Sequence, residues 1–307
     1  MMNDWSGGGS PLPDSVLSGS DTMSIKLEKK TPYWFILPAY LVFLIFMFGP
    51  MIFSLIMSFF NWTGVREPKF TGLENLKGVF TDSVFWISVR NTLIYSAVSL
   101  FIVVPLALLL ALALDSSRLK GRMFIRAAYF APIVTSTVAI SQTFLMLFNT
   151  NFGLINRMLG ITVDWLGSRT LALIPVIVVV IWRWLGLTSI YFLAGLQGIN
   201  RELYDAAKVD GANTIQQFFS VTLPQLRPIS FFVSMIILIG SLQIFDEPQI
   251  LTGGGPSNAT RSVVQYLYLR GFTQFRFGYA SAIGMILFIV IATLSAFQMK
   301  YRKEDEL

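Results

Sequence analysis

The sequence predicts an all-α membrane protein with six transmembrane helices and a cytoplasmic helical loop between helices 4 and 5. Three observations carry this expectation. Six apolar segments approach or exceed the length a helix needs to cross about 30 Å of hydrocarbon. Only 13% of the 307 residues are charged while 54% are hydrophobic, and the mean hydropathy is +0.64; a soluble domain carries about 25% charged residues. Lysine and arginine are also unevenly shared between alternate loops, as membrane topology requires.

Residues 1–22 are rich in Gly, Ser, Pro and Asp and lack apolar periodicity, so they read as disordered. Met23 opens a more usual start, MSIKLEKK, which makes 1–22 an expected start-site extension. The predicted organisation is a cytoplasmic tail over 1–32, a transmembrane domain over 33–303 and a short cytoplasmic tail over 304–307. Tyr33–Phe60 forms the first span. It is too long for a signal-peptide core and lacks a well-placed cleavage site. Lys26, Lys29 and Lys30 precede it and hold the N-terminus inside. Pro38 and Pro50 are placed to kink it.

Further spans are expected at Ile87–Leu114, Ala127–Phe148, Leu171–Leu193, Ile229–Phe245 and Tyr279–Phe297, the fifth being the shortest. Six crossings put both termini on one side. With that topology thirteen lysines and arginines fall inside and eight outside, and Arg90 and Arg183 lie within spans. The bias obeys the positive-inside rule and puts the 200–228 loop in the cytoplasm. The basic 115–126 loop is explained by the same rule.

The 200–228 loop, NRELYDAAKVDGANTIQQFFSVTLPQLRP, is both polar and helix-patterned. Asn200 is placed to cap a first helix, in which Arg201 and Asp205 are spaced i,i+4 for an ion pair. Asp210-Gly211 marks a turn. Beyond it Ile215, Phe218, Phe219, Thr222 and Leu226 recur at helical spacing, predicting one amphipathic stripe. Pro224 disfavours continuation, and Pro228 suits the first turn of the next helix.

The spaced pattern Asp205-Ala206-Ala207, Gly211, Val221-Thr222-Leu223-Pro224 resembles the EAA loop of bacterial ABC importer permeases. Such a pattern arises by chance in roughly one chain of this length in tens of thousands. Aspartate stands here for the usual glutamate and Val221 for isoleucine, both close in charge or shape. The outer-loop pieces Asn61-Trp62-Thr63-Gly64, Phe70 to Leu76 and LTGGGP over 251–256 are individually explicable as interfacial aromatics and tight turns. Together they resemble the carbohydrate-uptake branch, and SFFNWTG resembles the maltose-permease F type or glycerol-phosphate permease A type.

The resemblance implies a permease subunit of a sugar importer in the bacterial inner membrane. It implies a second homologous permease as heterodimer partner, two cytoplasmic ATPase subunits and an extracytoplasmic solute-binding protein. It implies that Glu202, Asp205, Ala206, Ala207, Gly211, Val221, Leu223 and Pro224 couple to the ATPases. It also places the substrate path near Gln243, Phe245 and Asp246, where aromatic faces and amides suit a sugar. Arg183, a further candidate for that path, must face protein or water inside its span, with Asp246 and Glu247 as candidate partners. Arg90 is read as snorkelling to headgroups.

Other chemistries find little support. The chain has no cysteine and no histidine, which excludes thiolate nucleophiles, disulfides, histidine metal sites and His-based triads. No GxxxxGK[ST] loop occurs, so ATP and Mg are expected only on partner ATPases, and no cofactor, metal or nucleic acid on this chain. A membrane-embedded enzyme such as a lipid-linked glycosyltransferase predicts paired carboxylates at one membrane face, whereas the acids here are scattered. A secondary transporter predicts an internal inverted repeat, and none is evident.

Overall fold

The computed structural model describes residues 31–116 and 121–305. The expected disordered leader and the Met23 start therefore lie outside the described residues, as do 306–307. The described residues fall into two compact units, one ending at Met51 and the other beginning at Ile52. In the first, helix Thr31–Phe43 runs through Pro38 into a wide π-helical turn, Leu44–Phe48. Trp34 and Phe35 are 71% and 82% exposed, and side chains this apolar belong in hydrocarbon rather than water.

Among the described residues four helices are long and apolar enough to cross a membrane: Tyr33–Met57, Ser83–Asp115, Leu173–Gln197 and Phe277–Lys300. The number rises to six if each of two bent helix pairs is one span. The expected single helix Ala127–Phe148 is one such pair. Met123–Val134 and Thr137–Leu147 meet at 104°. Pro132 lies in the last turn of the first helix, Thr135 and Ser136 have ψ of 142° and 129°, and Thr135 Oγ1 donates to the Ala131 carbonyl at 2.7 Å. Proline removes one backbone donor and the hydroxyl occupies one of the carbonyls left at the helix end. The other pair, Thr214–Gln225 and Arg227–Leu242, bends by 66°. The fifth apolar helix thus begins two residues before Ile229 and ends before Phe245. The last helix, Phe277–Asp305, continues through 304–305, where the sequence suggests a tail.

The core of the second unit is built where small residues let helices approach. Ala107 and Ala111 of Ser83–Asp115 are fully buried against Phe192, Leu193 and Leu196 of Leu173–Gln197, and Leu226, Val233 and Ile237 complete the cluster. Gly186 is required by the same logic: a Cβ there would strike the Tyr129 carbonyl oxygen. A second cluster gathers Val79, Phe85, Val263, Tyr266, Tyr279 and Ile283. Beside it, Phe60–Asn61 and Lys69–Phe70 form a two-residue antiparallel pair, Phe60 opposite Phe70. Asn75 Nδ2 donates to the carbonyls of Ser58 (3.0 Å) and Phe60 (2.9 Å), and the Trp62 ring lies 5.4 Å from that of Phe277. The NWTG and FTGLENL pieces therefore meet as one folded corner.

Candidate functional site

The 200–228 segment is two short helices finished by their own side chains. Asn200 accepts from the Glu202 amide at 3.0 Å and starts helix Arg201–Val209. Gly211, at φ +81°, ends it, with the Ala212 amide donating to the Ala207 carbonyl at 2.9 Å. An L side chain is strained at that φ, so glycine fits here for a conformational reason. Asn213 and Gln216 then form a reciprocal capping box, each side chain accepting from the other's backbone amide. Tyr204 and Thr222 hydroxyls, 2.9 Å apart, join the two helices.

Two expectations change here. Asp205 is hydrogen-bonded not to Arg201 but to Lys208, at 2.8 Å and i,i+3. That hydrogen bond and the lysine's charge hold the Asp205 carboxyl below its ordinary pKa, with Arg201 a weaker influence. The second helix, in turn, does not stop at Pro224. Residues 218–222 form a π-helical turn, and the chain continues as Leu223–Gln225 before bending at Leu226. The wider turn leads into Pro224 in the first turn of the following α-helical piece, where its missing amide costs little.

The π turn also splits the predicted stripe into two rows, each spaced by four. Phe218, Thr222 and Leu226 face inward, Leu226 with 0% exposure; Ile215, Phe219 and Leu223 face outward, at 69%, 62% and 36%. Leu203 and Val209 of the first helix are exposed as well. Glu202, Asp205, Ala206, Gly211 and Pro224 are exposed, and Ala207 and Val221 half-buried. The eight candidate coupling residues thus share one compact segment.

Within the span region, Arg183 Nη1 pairs with Glu247 Oε1 at 2.6 Å. The Glu247 side chain is 2% exposed and that of Arg183 28%. Of the two carboxylates proposed as its partner, Glu247 takes the role and Asp246 stays exposed. Gln243 is also exposed, while Phe245 is half-buried with its ring 5.2 Å from that of Tyr268. The ion pair with Glu247 brings Arg183 to the stretch that carries the other three candidates, Gln243, Phe245 and Asp246.

The glycine turn beyond them is tied down by a polar stripe that sequence reasoning passed over. Asn91 Nδ2 donates to the carbonyls of Asn258 (3.0 Å) and Arg261 (3.1 Å), and Tyr95 donates to that of Thr260 (2.8 Å). Thr92 Oγ1 accepts from the Val263 amide at 3.0 Å, and Ser241 donates to Ser96 at 3.1 Å. Ser88, Asn91, Thr92, Tyr95, Ser96 and Ser99 recur at three- and four-residue steps along an apolar helix. That periodicity was the available signal.

A charged cluster closes this end. Asp82 accepts from Tyr266, from Tyr279 at 2.8 Å, from Arg270 at 2.8 Å and from the Val84 amide at 2.9 Å. The Arg270 guanidinium lies 5.0 and 5.2 Å from the Tyr266 and Tyr279 rings. Burial alone would raise the Asp82 pKa, but these hydrogen bonds outweigh it and lower it to about 2.

Residues 87–302 match the model of the binding-protein-dependent transport system inner membrane component. The chain belongs to that family. It is 37% identical over 287 residues to the probable ABC transporter permease protein YurN of Bacillus subtilis (strain 168), covering 91% of this chain and 98% of that one. It is 34% identical to the arabinooligosaccharides transport system permease protein AraP of the same organism, covering 94% of each. Among solved structures it resembles a chain of a bacterial alginate ABC transporter, crystallised in complex with an alginate pentasaccharide-bound periplasmic protein. That match has a TM-score of 0.78 and 27% identity, and covers 89% of this chain and 94% of the other.

Proposed function

We propose that this chain is the transmembrane permease subunit of an ATP-driven, solute-binding-protein-dependent importer for a sugar or sugar-like solute. Each bent helix pair is read as one span, giving six crossings of the bacterial inner membrane with both termini cytoplasmic. A second, homologous permease completes the translocation path. Two ATPase subunits, which carry ATP and Mg, dock from the cytoplasm, and an extracytoplasmic protein delivers the solute. The carbohydrate class is supported by the names of the relatives, arabinooligosaccharides for one and alginate for another.

The observation that carries the coupling role is the outward row Ile215, Phe219 and Leu223, left uncovered as Leu203 and Val209 also are. An apolar helix face with a few charges is what a partner's groove recognises. Glu202 and Asp205 supply the charges, Ala206 and Ala207 allow close approach, and Gly211 sets the angle between the helices. Val221, Leu223 and Pro224 shape the second helix. ATP-driven closure of the ATPases would displace this pair, and Leu226, buried among the spans, would pass the displacement to them. On the path, Phe245 offers a ring face, Gln243 an amide and Asp246 a carboxylate to sugar C–H faces and hydroxyls. Arg183, neutralised by Glu247, fixes the segment that bears them.

The test is co-purification. Asp205→Lys reverses the charge on the docking face, and Gly211→Leu strains the bend; each should abolish ATPase retention or uncouple hydrolysis from transport while membrane insertion stays normal. Normal transport by both variants would refute the docking role.

A further inference from the structure

We propose that the crevice between helix Met123–Val134 and span Leu173–Gln197 holds one anionic phospholipid, with its phosphate on Arg126 and an acyl chain in the slot beside it. Two cavities of opposite character meet at this arginine. One, of about 290 Å³, is an apolar slot lined by Leu114, Ala127, Phe130, Ile190 and Leu193. Its floor is buried, whereas Phe130 and Ile190 are 43% and 38% exposed, so apolar wall is left uncovered. The other, of about 910 Å³, is a polar cleft reaching Asp115, Arg201, Tyr204, Asp205 and Lys208. Arg126 lines both.

Arg126 is incompletely satisfied. Its Nη2 donates to the Leu114 carbonyl at 3.1 Å, as a cation near a helix C-terminus does. Its Nε is buried and has no hydrogen-bond partner. A buried donor left unpaired is costly, and a guanidinium fork matches a phosphate. In the polar cleft Asp205 is engaged by Lys208, which leaves Arg126 and Arg201 against Asp115 and a net positive charge. A soluble phosphate would use only the cleft, and an apolar segment of a partner only the slot. An anionic amphiphile uses both, and basic pockets at the ends of membrane helices select such headgroups. On the topology proposed above this lipid would lie in the cytoplasmic leaflet; the cavities and Arg126 do not depend on that topology.

The experiment extracts the full-length chain, in its native complex, into lipid nanodiscs without added lipid and measures retained phosphatidylglycerol by mass spectrometry. Wild type should retain it above its share of the bulk membrane. Arg126→Gln removes the phosphate ligand and Ala127→Trp fills the slot. Each should weaken retention about tenfold, the scale of one charge-assisted hydrogen bond or one displaced chain, with ATPase co-purification unchanged. That readout separates failure here from failure of the docking role. No enrichment in wild type, or full retention by Ala127→Trp, would overturn the proposal. So would equal displacement by soluble glycerol phosphate, or a crosslink from Ala127→Cys that captures the second permease in place of lipid. Should Arg126→Gln not fold, Ala127→Trp decides alone.

Discussion

The two ends of the second unit are finished in different ways. Around Asp82 and Asn91, side chains far apart in sequence are bound to one another: Asp82 accepts from residues 184 to 197 positions away, and Asn91 reaches across 167 and 170. Around 200–228 most side-chain bonds are short-range, spanning two to five residues through Asn200, Lys208, Asn213 and Gln217, with Tyr204–Thr222 the longer tie. One end is fastened within the chain. The other is folded locally and presents an apolar row outward. The contrast separates a region complete in itself from one that leaves an apolar row uncovered, and substitutions can test that division.

The largest effect is expected from Glu247→Ala. It leaves the Arg183 guanidinium unpaired beside a buried site, a loss of about 3 kcal/mol or more. The thermal midpoint in detergent should fall steeply, and Arg183→Met with Glu247→Leu should recover much of the loss. No recovery would mean that the pair does more than balance charge.

Next comes Asp82→Asn, expected to cost about 2 kcal/mol, the scale of its depressed pKa. The folded-state pKa of about 2 lies below the unfolded value, so this stabilisation is present above about pH 4. It is lost as the pH falls from there through about 2. An acid-unfolding curve that is identical for wild type and Asp82→Asn would remove the fastening role.

A loss of similar size, about 1–3 kcal/mol, is expected for Gly186→Ala, because the added Cβ meets backbone that cannot move aside cheaply. The smallest is Asn213→Ala. Losing the capping box costs about 1 kcal/mol locally, so the midpoint of the membrane region should barely change while ATPase retention declines. If the midpoint fell as far as in Asp82→Asn, the loop would belong to the fastened part and the contrast would collapse.

Much of the loop was legible because its signals are local. Asn200, Gly211 and Pro228 act within one turn of their own position, and their residue types specify the cap, the bend and the helix start. The Arg183 pairing was half legible: a cation in an apolar span demands an anion, and two adjacent carboxylates were on offer. Which one turned inward depended on the start of helix Asp246–Thr252, which places Glu247 toward the core. The Asp82 cluster was not legible, since Tyr266, Arg270 and Tyr279 are near Asp82 only after folding. The π turn at 218–222 and the 104° break at Thr135–Ser136 were missed for a related reason. Apolar periodicity reports which side chains are greasy, not how many residues the backbone spends on a turn.

Leu226 gives the bend at the end of the loop a mechanical meaning. It has no exposed surface, and it sits at the knuckle between two helices that meet at 66°, among side chains of three spans. Close-packed interiors transmit strain because they have no slack to absorb it. On the proposed docking role, a push on the exterior row would reach the packed helices through this pivot, and trimming Leu226 to alanine would loosen the joint while leaving both helices intact.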